Sequence, residues 1–159
     1  VVDLTVTLAR EMLSAAGLDG SKDPSDALKD GSAMDVWRSM IAAQGGDPDA
    51  PLPVATETHT VLAPAEGVLA SLDAYGVGVA AWRLGAGRAR KEDPVQAGAG
   101  VEMHAKPGAL LRAGGPLLTL HTDEPARFER ALEALEGAYQ IVPRGSRPDL
   151  PPLVIERVD

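Results

Sequence analysis

The stretch QGGDPDAPLP (44–53) divides the chain into two textures, and that change most constrains what it can fold into. Before it, apolar residues recur at helical spacing. Leu4, Leu8 and Met12 predict a first helix from near Asp3, with Gly17 as its stop. Pro24, with Ser25 or Asp26 as cap, opens a short second helix closed by Gly31, and a third runs from Ser32 to Gln44 with Ala33, Val36, Trp37, Met40 and Ala43 on one side. After it, from Pro53, short apolar runs are punctuated by glycine. TVLAPAEGVLASLDA reads as two strands joined at Pro64 to Gly67, and GVEMHA and PLLTLHT as further strands flanking the turn-rich KPGALLRAGG. A helix is expected from Val77 to Leu84 and another from Pro125 to Glu136, striped by Phe128, Leu132 and Leu135; PPLVIERVD reads as a last strand.

The pattern predicts an α+β chain, with a helical piece over residues 1–50 and a β-rich, mostly antiparallel domain with crossing helices over 51–159. The helical piece is too small to bury a good core alone. The sequence opens VVDLTVTLAREML, without an initiator Met and already in helical register, which reads as a fragment.

Composition excludes several functions. Aromatic residues are 3% of the chain, leaving few platforms on which bases could stack, and a formal net charge of −8 opposes a phosphate backbone, so no nucleic-acid partner is expected. There is no cysteine, hence no disulfide or thiolate chemistry. No apolar run approaches a membrane span and no charged-then-apolar leader opens the sequence, so no membrane partner and a cytoplasmic location are expected.

Several motifs invite a chemical reading. Gly76, Gly78 and Ala81 match G-x-G-x-x-A, the outline of a dinucleotide fingerprint, but no following parallel strand ends in an acidic residue, and a helix-entry turn is the better reading. LGAGRARKED (84–93) has the look of a phosphate loop. Its glycines, however, fall at a helix C-terminus, the negative end of the dipole, and no Gly-Lys-Ser/Thr follows. Gly85 and Gly87 are therefore a helix stop, with Gly87 expected in a left-handed cap, Arg88 or Arg90 favoured by the dipole, and Lys91, Glu92 and Asp93 in local ion pairs or against a neighbouring surface. His59, His104 and His121 lack metal-motif spacing and read as structural. Asp123 and Glu124 suit the start of the following helix better than acid/base work. Serines 14, 21, 25, 32, 39, 71 and 146 have no nucleophile-elbow context.

VLAPAEGVLASL and KPGALLRAGGPLLTL are also similar in texture to biotinyl and lipoyl carrier domains. The carrier lysine is missing where HTDEP follows the last strand, and Lys106 stands on the wrong side of the glycine turn.

Taken together, MIAAQGGDP (40–48), the run from Ala63 to His121 and the closing PPLVIERV resemble the C-terminal part of the thymidine phosphorylase / pyrimidine-nucleoside phosphorylase family, over nearly the whole chain. That resemblance implies a barrel-sandwich-like or α/β-hammerhead domain within a homodimeric pentosyltransferase. Such enzymes cleave thymidine or related pyrimidine nucleosides with inorganic phosphate, giving free base and (deoxy)ribose 1-phosphate, with phosphate as co-substrate and no cofactor. The family's phosphate-binding Gly/Ser/Thr segment and its base-binding Arg, Ser and Lys do not occur here. No catalytic, substrate-binding or metal-ligating residue carries over to any position, and the chain alone is expected to be inactive, with the remainder of the phosphorylase as its partner. In that reading Arg88 to Asp93 is a structural or inter-domain loop. Two rivals stand beside it: a free-standing carrier-like docking module without a modified lysine, and an independent enzyme using Glu92, Asp93 and His104.

Overall fold

The computed structural model describes residues 1–20 and 22–158; Ser21, among the serines named above, and Asp159, the end of PPLVIERVD, lie outside the described residues. The chain divides into two compact units, Leu52–Leu150 and a second made of Val1–Pro51 with Pro151–Asp159.

The second unit holds three helices, α1 (Val2–Ala15), α2 (Pro24–Lys29) and α3 (Ser32–Ala43). Their ends are set by side chains close in sequence. Asp23 is the N-cap of α2, accepting from the Ser25 N–H at 2.8 Å, with Pro24 pre-set for the first helical position. The cap is thus Asp23, one residue before the proline, rather than Ser25 or Asp26. The Arg10 guanidinium of α1 grips the same carboxylate through both oxygens, at 2.9 and 3.0 Å. Asp30 accepts from the Ser32 N–H at the start of α3 and is paired with Lys22.

Among the described residues Val6 is the only buried residue of this unit. The α3 face predicted to be apolar is exposed, Val36, Trp37 and Met40 included, as are Leu4, Leu8 and Met12 of α1. Residues 151–158 form no strand. Pro151 and Pro152 remove two ladder donors, and the segment runs beside α1 instead, where Leu153 to Val158 face Leu4 and Leu8 across a hollow and Arg157 donates to Glu11 at 3.1 Å.

The unit Leu52–Leu150 contains two antiparallel three-stranded sheets. One has the order β1 (Glu57–Leu62), β5 (Pro116–Thr122), β3 (Gly100–Met103); the other β4 (Leu110–Leu111), β2 (Gly67–Leu72), β6 (Tyr139–Val142). They are crossed by α4 (Ala74–Ala81) and α5 (Arg127–Leu135). The fold is α+β, as expected, with open sheets rather than a closed barrel. The two strands flanking Pro64 to Gly67 do not pair with each other: β1 lies against β5 and β2 against β4 and β6, so the link crosses between sheets. Gly67 is required there, since a Cβ would stand 2.2 Å from the Val142 carbonyl oxygen.

Strand β5 lies between β1 and β3, and its consecutive residues Leu117 and Leu118 are both fully buried, so both of its faces are covered. They form the core with Leu69, Leu84, Leu120, Ala80, Ala131 and Leu135. Strands β4 and β6 have no counterpart in the sequence pattern. The first is two residues inside a turn-rich stretch, and the second is a four-residue run.

Candidate functional site

Helix α4 is launched by Asp73, whose carboxylate accepts from the N–H groups of Tyr75 (3.1 Å) and Gly76 (3.0 Å) while its own N–H donates to Ala138. The helix therefore starts three residues earlier than predicted, and Gly76 and Gly78 sit inside it instead of at its entry. A Cβ on Gly76 would lie 3.0 Å from both the Ala134 carbonyl oxygen and the Ala138 Cβ. The glycine lets α4 approach α5 and the segment after it, which accounts for half of the dinucleotide-like motif by packing.

Beyond Ala81 the helix widens into a π-helical turn, Trp82–Ala86, and comes apart at Gly85, whose φ of 114° is open to glycine. Gly87, expected in the left-handed cap, is extended (φ −142°), so the special backbone position is Gly85. The chain then makes a loop in which Arg88 donates to the Lys91 carbonyl (3.1 Å) and Asp93 accepts from the Arg90 N–H (2.9 Å). Neither arginine caps the helix. Lys91 and Glu92 form no ion pair among the described residues.

Gln96 fastens the end of this loop. Its N–H donates to the Gly85 carbonyl (2.9 Å), its side-chain oxygen accepts from the Asp123 N–H (2.8 Å), and its amide nitrogen donates to Glu124 (2.7 Å). The fully buried Thr122 hydroxyl stands 2.8 Å from the Leu84 carbonyl and 3.1 Å from the Gln96 side-chain oxygen, and accepts from the Glu124 N–H. A satisfied polar network in the interior fixes geometry in a way apolar packing does not. Here it locks loop, β5 and the approach to α5 together.

That lock shapes a cleft of about 300 Å³ between the end of α4, the loop and α5. Arg83, Arg88, Arg127 and Arg130 line it with Trp82 and Pro94, and Asp93 is the one carboxylate on its wall. Arg83 is held by Glu133 (3.2 Å) and by the Arg130 carbonyl, and Arg127 by Glu124 (2.9 Å). The Arg127 guanidinium, helped by the Gln96 amide, holds the Glu124 carboxyl below its ordinary range. The Nε atoms of both Arg83 and Arg127 are buried without a hydrogen-bond partner.

The other sequence-flagged residues are dispersed. His104 shares a hydrogen bond with Thr119 (2.7 Å), His121 stands 3.6 Å from Glu102, and His59 lies against Phe128 with ring centroids 5.6 Å apart. Among the described residues no cluster of His, Asp and Glu could hold a metal ion. Asp93 reaches the cleft while Glu92 and His104 do not line it, so the triad of the independent-enzyme rival is not brought together. Asp123 and Glu124 do not cap α5, which starts at Arg127 without a side-chain cap: Asp123 accepts from Thr56 and Glu124 pairs with Arg127. Sequence reasoning passed over Asp73, Gln96, Thr122 and three of the four cleft arginines. Only Asp73 carried a local signal, an Asp immediately before a helical run.

Two open antiparallel three-stranded sheets crossed by two helices define an α+β domain. Residues 68–142 match the pyrimidine nucleoside phosphorylase C-terminal domain, and the chain belongs with the C-terminal part of the thymidine phosphorylase / pyrimidine-nucleoside phosphorylase family. It is 49% identical over 99% of its length to a thymidine phosphorylase of Mycobacterium tuberculosis, covering 36% of that protein. It is 34% identical over 89% of its length to human thymidine phosphorylase (33% of that protein), and 30% identical over 94% to a pyrimidine-nucleoside phosphorylase of Staphylococcus haemolyticus (37% of that protein). The chain thus spans about a third of the length of these relatives. Among the described residues no helix is long and apolar enough to cross a membrane.

Proposed function

We infer that this chain is the C-terminal structural portion of an enzyme that phosphorolyses thymidine or other pyrimidine nucleosides to free base and (deoxy)ribose 1-phosphate. The observation that carries the reading is the 49% identity to a thymidine phosphorylase along 99% of the chain, which leaves 64% of that relative outside it. In this reading residues 51–159 are the C-terminal domain, and residues 1–50 are a piece of the larger α/β domain.

The chain supplies no catalytic, substrate-binding or metal-binding residue. Phosphorolysis needs donors for the attacking phosphate and for the charge that grows on the departing base, and the polar network around Thr122 and Gln96 is consumed internally. The partner is the remainder of the phosphorylase, and the exposed faces of α1 and α3 are consistent with a surface meant to be covered. The whole enzyme works as a cytoplasmic homodimer on a pyrimidine nucleoside and inorganic phosphate, without a cofactor. The carrier alternative gains nothing from the fold or the relatives.

The test is phosphate-dependent release of base from thymidine and uridine by the 159-residue chain, beside the same chain preceded by whatever its gene encodes upstream. Activity in the longer protein alone supports the reading. Turnover by the short chain overturns it.

A further inference from the structure

The cleft at the end of α4 concentrates positive charge on a chain whose formal net charge is −8. Four arginines and one aspartate line it, and the Asp93 carboxylate is already engaged by the Arg90 N–H. Glu133 and Glu124 hold the terminal nitrogens of Arg83 and Arg127. Those contacts orient the two guanidiniums and leave their buried Nε donors unpaired. Arg130 makes no ion pair among the described residues, and Arg88 is engaged only by the Lys91 carbonyl. Arg88 and Arg130 are exposed, and among the described residues no carboxylate holds either guanidinium, so these two are the groups an anion entering the cleft would meet.

We propose that this cleft binds a phosphate-class anion, either inorganic phosphate or the phosphate end of a small phosphomonoester. Guanidinium forks match carboxylate and phosphate geometry alike. A carboxylate, though, offers two oxygens, whereas a tetrahedral phosphate presents oxygens in every direction to arginines that come from the turn after α4, from the loop and from α5. Trp82 and Pro94 give the cleft one apolar wall, and Trp82 packs so closely on Gly87 that a Cβ there would stand 2.8 Å from its ring. A volume of about 300 Å³ leaves space along that wall for the organic part of a phosphomonoester. The proposal goes beyond the phosphorolysis reading and does not rest on it: the anion here is bound, not consumed.

Trp82 and Trp37 are the two tryptophans of the chain, so Trp37→Phe leaves a single indole at the cleft wall. Titrating that variant with inorganic phosphate, glycerol 3-phosphate, acetate and chloride, with fluorescence as readout, should give a saturable change for the two phosphates only. Preference between them tells which source of phosphate the cleft takes. Arg88→Gln with Arg130→Gln, both exposed and neither part of the core, should weaken binding by at least about tenfold, while Arg112→Gln, exposed and outside the cleft lining, should leave it unchanged. Circular dichroism shows whether each variant is folded. No saturable response, an equal response to acetate, or undiminished binding by the folded double variant would overturn the proposal.

Discussion

The buried hydroxyl of Thr122 lies 2.8 Å from the carbonyl oxygen of Leu84, the residue before Gly85, and so ties the end of β5 to the point where the helix that begins as α4 comes apart. Replacing it with valine keeps the shape and the strand preference but takes the acceptor from the Glu124 N–H and the hydroxyl proton from the Leu84 carbonyl, the nearer of its two acceptors. Thr122→Val should cost about 1–3 kcal/mol in urea unfolding, with Thr122→Ser nearer the parent. Hydrogen exchange in residues 87–99 should quicken in step. A valine variant as stable as the parent would mean that the network is ornamental to the fold.

Gly85 and Gly87 separate two effects that sequence had merged. At φ 114° Gly85 holds a conformation that a Cβ resists, and the new atom would also meet the Gln96 side chain at 2.9 Å. Gly85→Ala is expected to lose about 1–3 kcal/mol. Gly87 is extended, so Gly87→Ala acts only by pushing on the partly exposed ring of Trp82 and should shift the emission of that tryptophan more than the unfolding midpoint. Equal losses of stability at the two positions would refute the assignment of Gly85 as the strained glycine.

In the helical unit, the Asp30 carboxyl is held down to about 2, first by the Lys22 ammonium and then by the Ser32 N–H. A carboxyl lowered on folding adds stability that is complete above its ordinary value of 3.8 and is lost as pH falls through the lowered one. Side-chain carbon shifts should therefore show Asp30 titrating near 2, well below a typical aspartate. Helix signal should decline between about pH 4 and 2, and Asp30→Asn should flatten that part of the curve. Titration of Asp30 at an ordinary value would remove the link between Lys22 and the start of α3.

What could be read from the sequence, and what could not, follows the range of the interactions. Helix α1 ends near the Gly17 that announces it, α3 starts at Ser32 as its pattern requires, and β3 and β5 lie within GVEMHA and PLLTLHT, because each is decided by neighbours a few residues apart. The loop 87–99 is different. Gln96 meets Thr122 across 26 positions, and Arg83 meets the Arg130 carbonyl across 47, so no local pattern marks either. The same holds for the cleft: LGAGRARKED drew notice for its charge, yet Arg127 and Arg130 arrive from α5. Residues 151–158 failed as a strand for the converse reason, since their apolar run has no ladder to join.

Gly76 and Gly78, two residues apart in α4, offer the cleanest test of why the dinucleotide-like motif exists. On Gly76 a Cβ would press at 3.0 Å on the Ala134 carbonyl oxygen and the Ala138 Cβ, backbone and a near-backbone atom that cannot swing aside. On Gly78 a Cβ meets nothing within 4 Å. A methyl group in an open helical position removes the entropy penalty of glycine, so Gly78→Ala should raise stability by about 0.5–1 kcal/mol. Gly76→Ala should instead lower it by about 1–3 kcal/mol, the usual cost of overpacking, by forcing α4 away from α5. If the pair existed to let a pyrophosphate approach the backbone, both substitutions would leave packing alone and stabilise the helix equally. Opposite signs in the two unfolding midpoints would establish that Gly76 serves helix packing and that Gly78 is dispensable to the fold.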